Sequence, residues 1–78
     1  MMKIFNRFIK TNKELDELLN GTANNAANNY KDAAQKDFKS FCSKFQELKE
    51  SGLLNEKQIS YYEGMKVKYE QELKGFHH

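Results

Sequence analysis

The segment Leu48-Lys49-Glu50-Ser51-Gly52-Leu53-Leu54-Asn55-Glu56-Lys57-Gln58-Ile59 combines the features of a helix end with those of a helix start. Gly52 fits the left-handed residue that commonly follows the last turn of a helix. With Gly52 in that position, Leu48 and Leu53 occupy the two sites that touch in a Schellman cap. The first half of the segment therefore predicts that a helix ends just before Gly52.

The second half of the same segment predicts a new helix. Asn55 fits an N-cap, and Gln58 lies three residues later, where its side chain can bond back to the Asn55 backbone in a capping box. Leu54 and Ile59 fall at the two positions of a hydrophobic staple, which fixes the direction of the entering chain. Two helices joined by so short a corner form an antiparallel hairpin.

Apolar residues alternate at spacings of three and four on both sides of this corner, as they do on one face of a helix. The spacing predicts a long central helix over about residues 29–51 and a C-terminal helix over about residues 55–75. At about 1.5 Å per residue the two helices have similar lengths and can pack side by side. Their apolar faces are Ala34, Phe38, Phe41, Phe45 and Leu48 in the first helix and Ile59, Tyr62, Tyr69, Leu73 and Phe76 in the second.

A third apolar face lies near the N-terminus and also has helical spacing. We favour one continuous helix over about residues 3–20, which Asn20-Gly21 would end because glycine readily adopts the left-handed conformation. The residues that carry this face are Ile4, Phe8, Leu15 and Leu18.

An alternative start for this helix is Thr11-Asn12-Lys13-Glu14, which has the form of a capping box. In that case a shorter helix follows a basic N-terminal arm. In either case we expect the Asn-rich residues 21–29 to form a loop. The reason is that short polar side chains compete for the backbone hydrogen bonds of a helix.

Three apolar faces on one short chain predict an all-α fold. We expect a small three-helix bundle built on the antiparallel hairpin, as a single helical domain over residues 1–78. A chain of this length buries only about 60–65% of the surface that its unfolded form exposes. Because such faces satisfy a second chain as readily as their own, self-association, for example as a homodimer, stays open.

Charge and cysteine content restrict the classes of function. The net charge is +2, and the mixture of signs after the first thirteen residues argues against a dedicated polyanion binder. Cys42 is the only cysteine, so no intrachain disulfide forms and a reducing compartment fits best. No apolar run approaches the about 18–20 residues that span a bilayer, and the apolar core of a signal peptide is missing. We therefore expect a soluble cytoplasmic protein without a transmembrane segment.

The sequence contains no motif for catalysis, cofactor binding or metal binding. A catalytic thiol at Cys42 needs a histidine base, and the only histidines are His77 and His78 at the end of the chain. Two adjacent histidines there have no second shell to orient them around a metal. The carboxylates alternate with lysines on faces that should be solvated. We therefore predict a non-enzymatic protein with no cofactor and no metal, and we assign it to no family.

Protein–protein interaction or self-assembly is the function that the sequence favours, because three apolar faces exceed what so short a chain buries. The expected partner is another protein or a second copy of the chain. Tyr61 lies just off the apolar face of its helix. Since tyrosine is enriched at interfaces, we interpret Tyr61 as a contact-site residue.

Binding to nucleic acid or to an anionic surface is the alternative function. Lys3, Arg7 and Lys10 recur at spacings of four and three among apolar residues, which makes the N-terminal segment basic and amphipathic. Nucleic acid is the less favoured partner because the cations are few. A DNA-reading helix is also disfavoured, since the helix after the corner carries Glu56 and Glu63, which repel phosphates.

Overall fold

The computed structural model describes residues 11–74, and this part of the chain forms three helices and no strand. We number them α1 (Lys13–Ala27), α2 (Lys31–Glu50) and α3 (Glu56–Lys74). The predicted all-α three-helix bundle is confirmed, with α1 and α2 packed closely together. These two helices run in opposite directions, because Glu14 pairs with Lys44 near one end and Asn25 bonds Asp37 near the other.

Helix α1 begins at Lys13, with Asn12 as its N-cap. The Asn12 backbone is extended, and its side-chain oxygen accepts a hydrogen bond from the Leu15 backbone N–H at 3.0 Å. Such a bond satisfies one of the N–H groups that a helix start leaves unpaired. The favoured continuous helix over residues 3–20 is therefore wrong, since it does not pass through residues 11–12. Residues 3–10 of that prediction lie outside the described residues.

The predicted helix end at Asn20-Gly21 and the predicted loop over residues 21–29 are also wrong, because α1 continues to Ala27. Gly21 stands in the helix because α2 comes close to it: a Cβ at Gly21 would lie 2.6 Å from Oδ2 of Asp37. The same Oδ2 accepts a hydrogen bond from the Asn25 side chain at 2.9 Å. The contact with α2 thus keeps the Asn-rich segment helical.

Asn29, rather than Gly21, is the left-handed residue that ends α1, with φ at +66°. Its N–H bonds the Ala26 carbonyl at 3.1 Å, and the Tyr30 N–H bonds the Asn25 carbonyl at 2.7 Å. This pair of hydrogen bonds is a Schellman motif with asparagine in the position that glycine usually takes. The connection between α1 and α2 is therefore only three residues long, from Asn28 to Tyr30.

The corner between α2 and α3 has the hydrogen bonds of the predicted helix stop. The Leu53 N–H bonds the Leu48 carbonyl at 3.1 Å, and the Gly52 N–H bonds the Lys49 carbonyl at 3.2 Å. Gly52 has φ at +74°. The predicted apolar contact between Leu48 and Leu53 contributes little, however, because Leu53 is 69% exposed while Leu54 next to it is only 7% exposed. Of the two adjacent leucines in the corner, Leu54 is the one that enters the core.

The start of α3 contains both bonds of a capping box. The Asn55 side chain accepts from the Gln58 N–H at 2.8 Å, and the Gln58 side chain accepts from the Asn55 N–H at 2.9 Å. Leu54 is buried and Ile59 packs against the core cluster, as a hydrophobic staple requires. The corner therefore fixes where α2 ends and α3 begins.

The core is a single cluster to which all three helices contribute. Its centre is aromatic: the Phe41 ring stacks on Phe45 at 5.7 Å between centroids and lies 6.1 Å from the Tyr62 ring. Tyr62 therefore joins α3 to α2, while Leu15 joins α1 to the same cluster. The buried members are Leu15, Leu19, Phe41, Phe45, Leu48, Leu54, Tyr62 and Tyr69.

Gly52→Ala should lower the free energy of unfolding by about 1 kcal/mol, since an alanine in the left-handed conformation is strained. Nothing lies within 4 Å of the added Cβ, so the backbone conformation is the whole cause. Gly64→Ala is the control, because Gly64 lies inside α3 with equally open surroundings and should gain about 0.5–1 kcal/mol. Urea denaturation measures both. A neutral Gly52→Ala would contradict the assigned cap.

Gly21→Ala should leave the stability nearly unchanged, unlike Gly64→Ala. The gain of about 1 kcal/mol in helix propensity is offset by displacement of the Asp37 carboxylate and loss of its bond to Asn25, which is worth about 0.5–1.5 kcal/mol. In an Asp37→Ala background the same substitution should stabilise by about 1 kcal/mol. Urea denaturation of the four chains gives the coupling. Equal effects of Gly21→Ala in the two backgrounds would show that Asp37 does not determine the glycine.

Candidate functional site

A groove of about 210 Å³ runs between α1 and α3, and we refer to it as the α1–α3 groove. Both helices pack against α2, and the groove lies where they approach each other without closing the surface. One side comes from α1 and the other from α3. The lining residues are Asp16, Leu19, Asn20, Tyr61, Met65 and Tyr69.

Apolar side chains lie at the bottom of the α1–α3 groove, and the surface that its lining exposes is mostly polar. Leu19 and Tyr69 are buried core residues, and Met65 is half-buried against the same cluster. On the rim, Asn20 is exposed and Tyr61 is 36% exposed. The groove is therefore a polar surface with a small apolar area at its bottom.

Tyr61 is held in place by the tyrosine that follows it. Its ring meets the Tyr62 ring edge-on, with 4.9 Å between centroids and an interplanar angle of 72°. This geometry is favourable for two aromatic rings, because the positive edge of one faces the negative face of the other. The exposed side of Tyr61 is thus presented to the groove on a rigid support.

The Tyr62 hydroxyl connects the beginning of α1 to α3 at one end of the groove. It accepts a hydrogen bond from the Asn12 backbone N–H at 2.7 Å and donates one to Oδ1 of Asp16, also at 2.7 Å. Burial raises the pKa of the Tyr62 hydroxyl, the Asn12 bond opposes that rise, and the Asp16 bond adds to it. The hydroxyl therefore stays protonated and continues to donate to Asp16.

Of the interaction residues predicted from sequence, the structure brings only Tyr61 into this groove. Lys3, Arg7 and Lys10 lie outside the described residues. The sequence interpretation did not identify Asp16, Asn20 or Met65. A signal was nevertheless present, because Tyr61, Met65 and Tyr69 recur every four residues, and Asp16 and Asn20 lie one turn apart around Leu19.

A second, shallower depression of about 460 Å³ lies on the side of α2 that is turned away from the core. We refer to it as the α2 lysine face. Lys44 in this face forms ion pairs with two exposed carboxylates, Glu14 at 3.5 Å and Glu47 at 3.7 Å. The lining residues are Lys36, Lys39, Ser40, Ser43, Lys44 and Glu47.

Burial raises the pKa of the Cys42 thiol, and this effect is larger than the lowering caused by the nearby Lys66. The reactive thiolate is therefore disfavoured. Residues 11–74 contain no cluster of three or more His, Cys, Asp or Glu side chains that could hold a metal ion. No helix in that range is long and apolar enough to cross a membrane.

Comparisons of the chain with family models, curated proteins and solved structures found no match.

Proposed function

We propose that this chain is a small non-enzymatic helical module that acts by binding another protein or a second copy of itself. The observation that carries the proposal is the α1–α3 groove, in which the exposed part of Tyr61 lies beside the half-buried Met65. Tyrosine and methionine are both enriched at protein interfaces relative to the rest of the surface. The Asp16 carboxylate adds a charge that a partner with a cationic group can pair with.

The size of the molecule supports the same proposal. Its core is one small cluster, and a chain of this length has a total stability of only about 4–12 kcal/mol. Burial of a partner against Met65 and Tyr61 adds apolar contact that the chain does not form alone. Binding would therefore stabilise the fold as well as assemble a complex.

The test is a substitution on the rim of the groove with a matched substitution outside it. Asn20→Arg places a long cation on the exposed rim, whereas Asn24→Arg makes the same change one turn further along α1, outside the lining residues. Analytical ultracentrifugation at micromolar concentration measures self-association, and capture from an extract of the native host measures binding of another protein.

We expect Asn20→Arg to weaken the association at least tenfold and Asn24→Arg to leave it unchanged. The proposal fails if the protein is strictly monomeric and captures nothing that distinguishes the two variants. Circular dichroism at equal concentration controls for folding, because both side chains are exposed and neither change should alter the helix content.

Binding to nucleic acid or to an anionic surface remains the second candidate function, and the α2 lysine face is the observation in its favour. Lys36 and Lys39 are both exposed there, and two serines beside them can donate to phosphate oxygens. They would add to the basic N-terminal segment of Lys3, Arg7 and Lys10.

For this second function we predict how the binding constant depends on salt concentration. Neutralising about four phosphates gives a log–log dependence of the binding constant on salt with a slope of about −3.6 for duplex DNA. Replacing Arg7 and Lys10 with glutamate should abolish such binding, as measured by fluorescence anisotropy with a short duplex and by sedimentation with anionic vesicles. Unchanged binding in the double variant, or no binding by the unmodified chain, would rule out this function.

A further inference from the structure

We infer that the α1–α3 groove binds a basic amphipathic segment, and that the segment it binds is residues 1–10 of the same molecule. The inference rests on the proposed function in that it takes the same groove as the binding surface, and it adds the class of ligand and a particular occupant. Three observations support it: where residue 11 enters the structure, how charge is distributed, and which apolar groups the groove offers.

The chain enters the described structure at the end of the groove. Asn12, one residue after Thr11, is fixed by the bond from its backbone N–H to the Tyr62 hydroxyl at 2.7 Å. The same hydroxyl bonds Asp16, which lines the groove. Residues 1–10 are therefore attached directly beside the surface that we assign to them, and no linker has to cross the molecule.

The reach of ten residues is sufficient for this binding. The groove extends along α3 from Tyr61 to Tyr69, which is about 12 Å at the rise of an α-helix. Ten residues span about 15 Å as a helix and up to about 33 Å when extended. The segment can thus lie along the whole groove in either conformation.

Charge is distributed unevenly between residues 1–10, which are basic, and residues 11–74, in which acidic and basic side chains nearly balance. Residues 1–10 contain three cations and no carboxylate, whereas residues 11–74 contain ten lysines and eleven aspartates and glutamates. Within α1, Asp16 is the carboxylate that lines the groove, whereas Glu14 pairs with Lys44 of α2. One oxygen of Asp16, Oδ1, accepts the hydrogen bond from the Tyr62 hydroxyl. Its other oxygen is then the acceptor for Arg7 or Lys10, in the charge-assisted pairing that guanidinium and ammonium groups form with carboxylates.

The apolar side chains of residues 1–10 also have apolar counterparts in the groove. The segment carries Ile4, Phe5, Phe8 and Ile9 between its cations. The groove offers Leu19, Met65 and Tyr69 as its floor. Aromatic side chains on methionine make favourable sulfur contacts, and burial of a phenylalanine contributes about 1.5–3 kcal/mol. A segment with alternating cations and apolar groups therefore fits a groove that has one carboxylate, Asp16, beside Leu19, Met65 and Tyr69.

The molecule's own segment takes precedence over that of a second copy because of its attachment. A binding segment joined by a short linker has an effective concentration of about a millimolar or more at its site. At micromolar protein concentration, a second copy supplies the same segment at a roughly thousandfold lower concentration. We therefore assign the groove of the free chain to residues 1–10 of the same chain, and a partner binds there by displacing them.

A photo-crosslinking experiment on the full chain tests the assignment. We would place p-benzoylphenylalanine at position 8 in place of Phe8, irradiate at micromolar concentration an equal mixture of ¹⁴N- and ¹⁵N-labelled protein, and map the products by mass spectrometry. Benzophenone reacts with nearby C–H bonds and especially with methionine, so Met65 in the groove is a suitable acceptor.

We expect products of monomer mass in which residue 8 is joined to Met65 or to another lining residue of the groove. Asn20→Arg, which adds a cation to the rim, should reduce their yield at least fivefold, and Asn24→Arg should not. Products of dimer mass with mixed isotope labels would overturn the inference and assign the groove to a second copy. Products joined mainly to residues outside the groove would overturn it as well.

The result is distinguishable from failure of the proposed function. If cross-links fall outside the groove while Asn20→Arg still weakens binding of another protein, the occupant is wrong and the binding function stands. If cross-links map to the groove but no association is found, the groove serves the chain itself and the proposed function fails.

Discussion

Phe41→Ala should remove about 3–5 kcal/mol from the free energy of unfolding, which is most of what so small a domain has. Phe41 is completely buried, and its ring lies within 6.1 Å of the rings of Phe38, Phe45 and Tyr62. The first two neighbours belong to α2 and the third belongs to α3. Loss of the ring therefore leaves a cavity at the point where α3 joins the rest of the bundle.

Urea denaturation followed by circular dichroism at 222 nm measures this loss. Val67→Ala is the control, because Val67 lies on the outer side of α3 and is 51% exposed, so its truncation should change the stability by no more than about 0.5 kcal/mol. A loss below about 1 kcal/mol for Phe41→Ala would show that the core can close around the cavity. It would also weaken the view that this ring attaches α3 to α2.

The corner between α2 and α3 was the most predictable part of the fold. Its hydrogen bonds join residues that are at most five positions apart, such as Leu48 with Leu53 and Asn55 with Gln58. Local geometry and the chemistry of a few side chains decide such a cap, so the amino-acid sequence of the corner is enough to predict it. Only the exposure of Leu53, which is 69%, depended on the rest of the molecule.

The Asn-rich segment was mispredicted for the opposite reason. Gly21 and its neighbours carry the local signals of a helix end and a loop, but α1 continues through them because Asp37 of α2 lies against Gly21 and bonds Asn25. These partners are twelve or more positions away in the chain. Helix propensity is a weak preference of less than about 1 kcal/mol per residue, and tertiary contacts readily override it.

The candidate site was predictable only in part for a related reason. Tyr61 could be selected from its position beside the apolar face, but the groove also requires Asp16 and Asn20 from a helix about 45 positions earlier. The hydrogen-bond partners of the Tyr62 hydroxyl could not be predicted from the sequence either. The apolar spacing placed the Tyr62 ring in the core, and nothing near it in sequence indicated a bond to Asn12 or Asp16.

Tyr62→Phe should lower the free energy of unfolding at pH 7 by about 1–3 kcal/mol, because a partly buried donor and a carboxylate lose their partner. The Asn12 N–H loses its acceptor at 2.7 Å and Asp16 loses its donor at 2.7 Å, while the aromatic ring keeps its packing. Tyr61→Phe is the control, since no hydrogen bond joins the Tyr61 hydroxyl to another residue within the described range 11–74. Urea denaturation of the two variants should therefore separate the hydroxyl of Tyr62 from the aromatic contacts of the pair.

The difference in free energy of unfolding between the unmodified chain and Tyr62→Phe should also become smaller at alkaline pH. Burial raises the pKa of Tyr62 in the folded protein above its usual value of 10.0, while the tyrosine of the unfolded chain ionises at that usual value. Below pH 10 both states hold the proton, and the contribution is fully present. Above it the unfolded state loses the proton first, so the free energy of unfolding should fall by up to about 1.4 kcal/mol per pH unit.

Other groups titrate in the same range, including the Cys42 thiol, whose pKa burial also raises. They are common to both chains, so the difference between the unmodified chain and Tyr62→Phe isolates the one hydroxyl. Urea midpoints of the unmodified chain and of Tyr62→Phe should therefore converge as the pH rises from 8 to 11. A constant difference across this range would mean that the Tyr62 hydroxyl ionises as easily in the folded protein as in the unfolded one. In that case the hydroxyl of Tyr62 would not be buried between α1 and α3 as the structure has it.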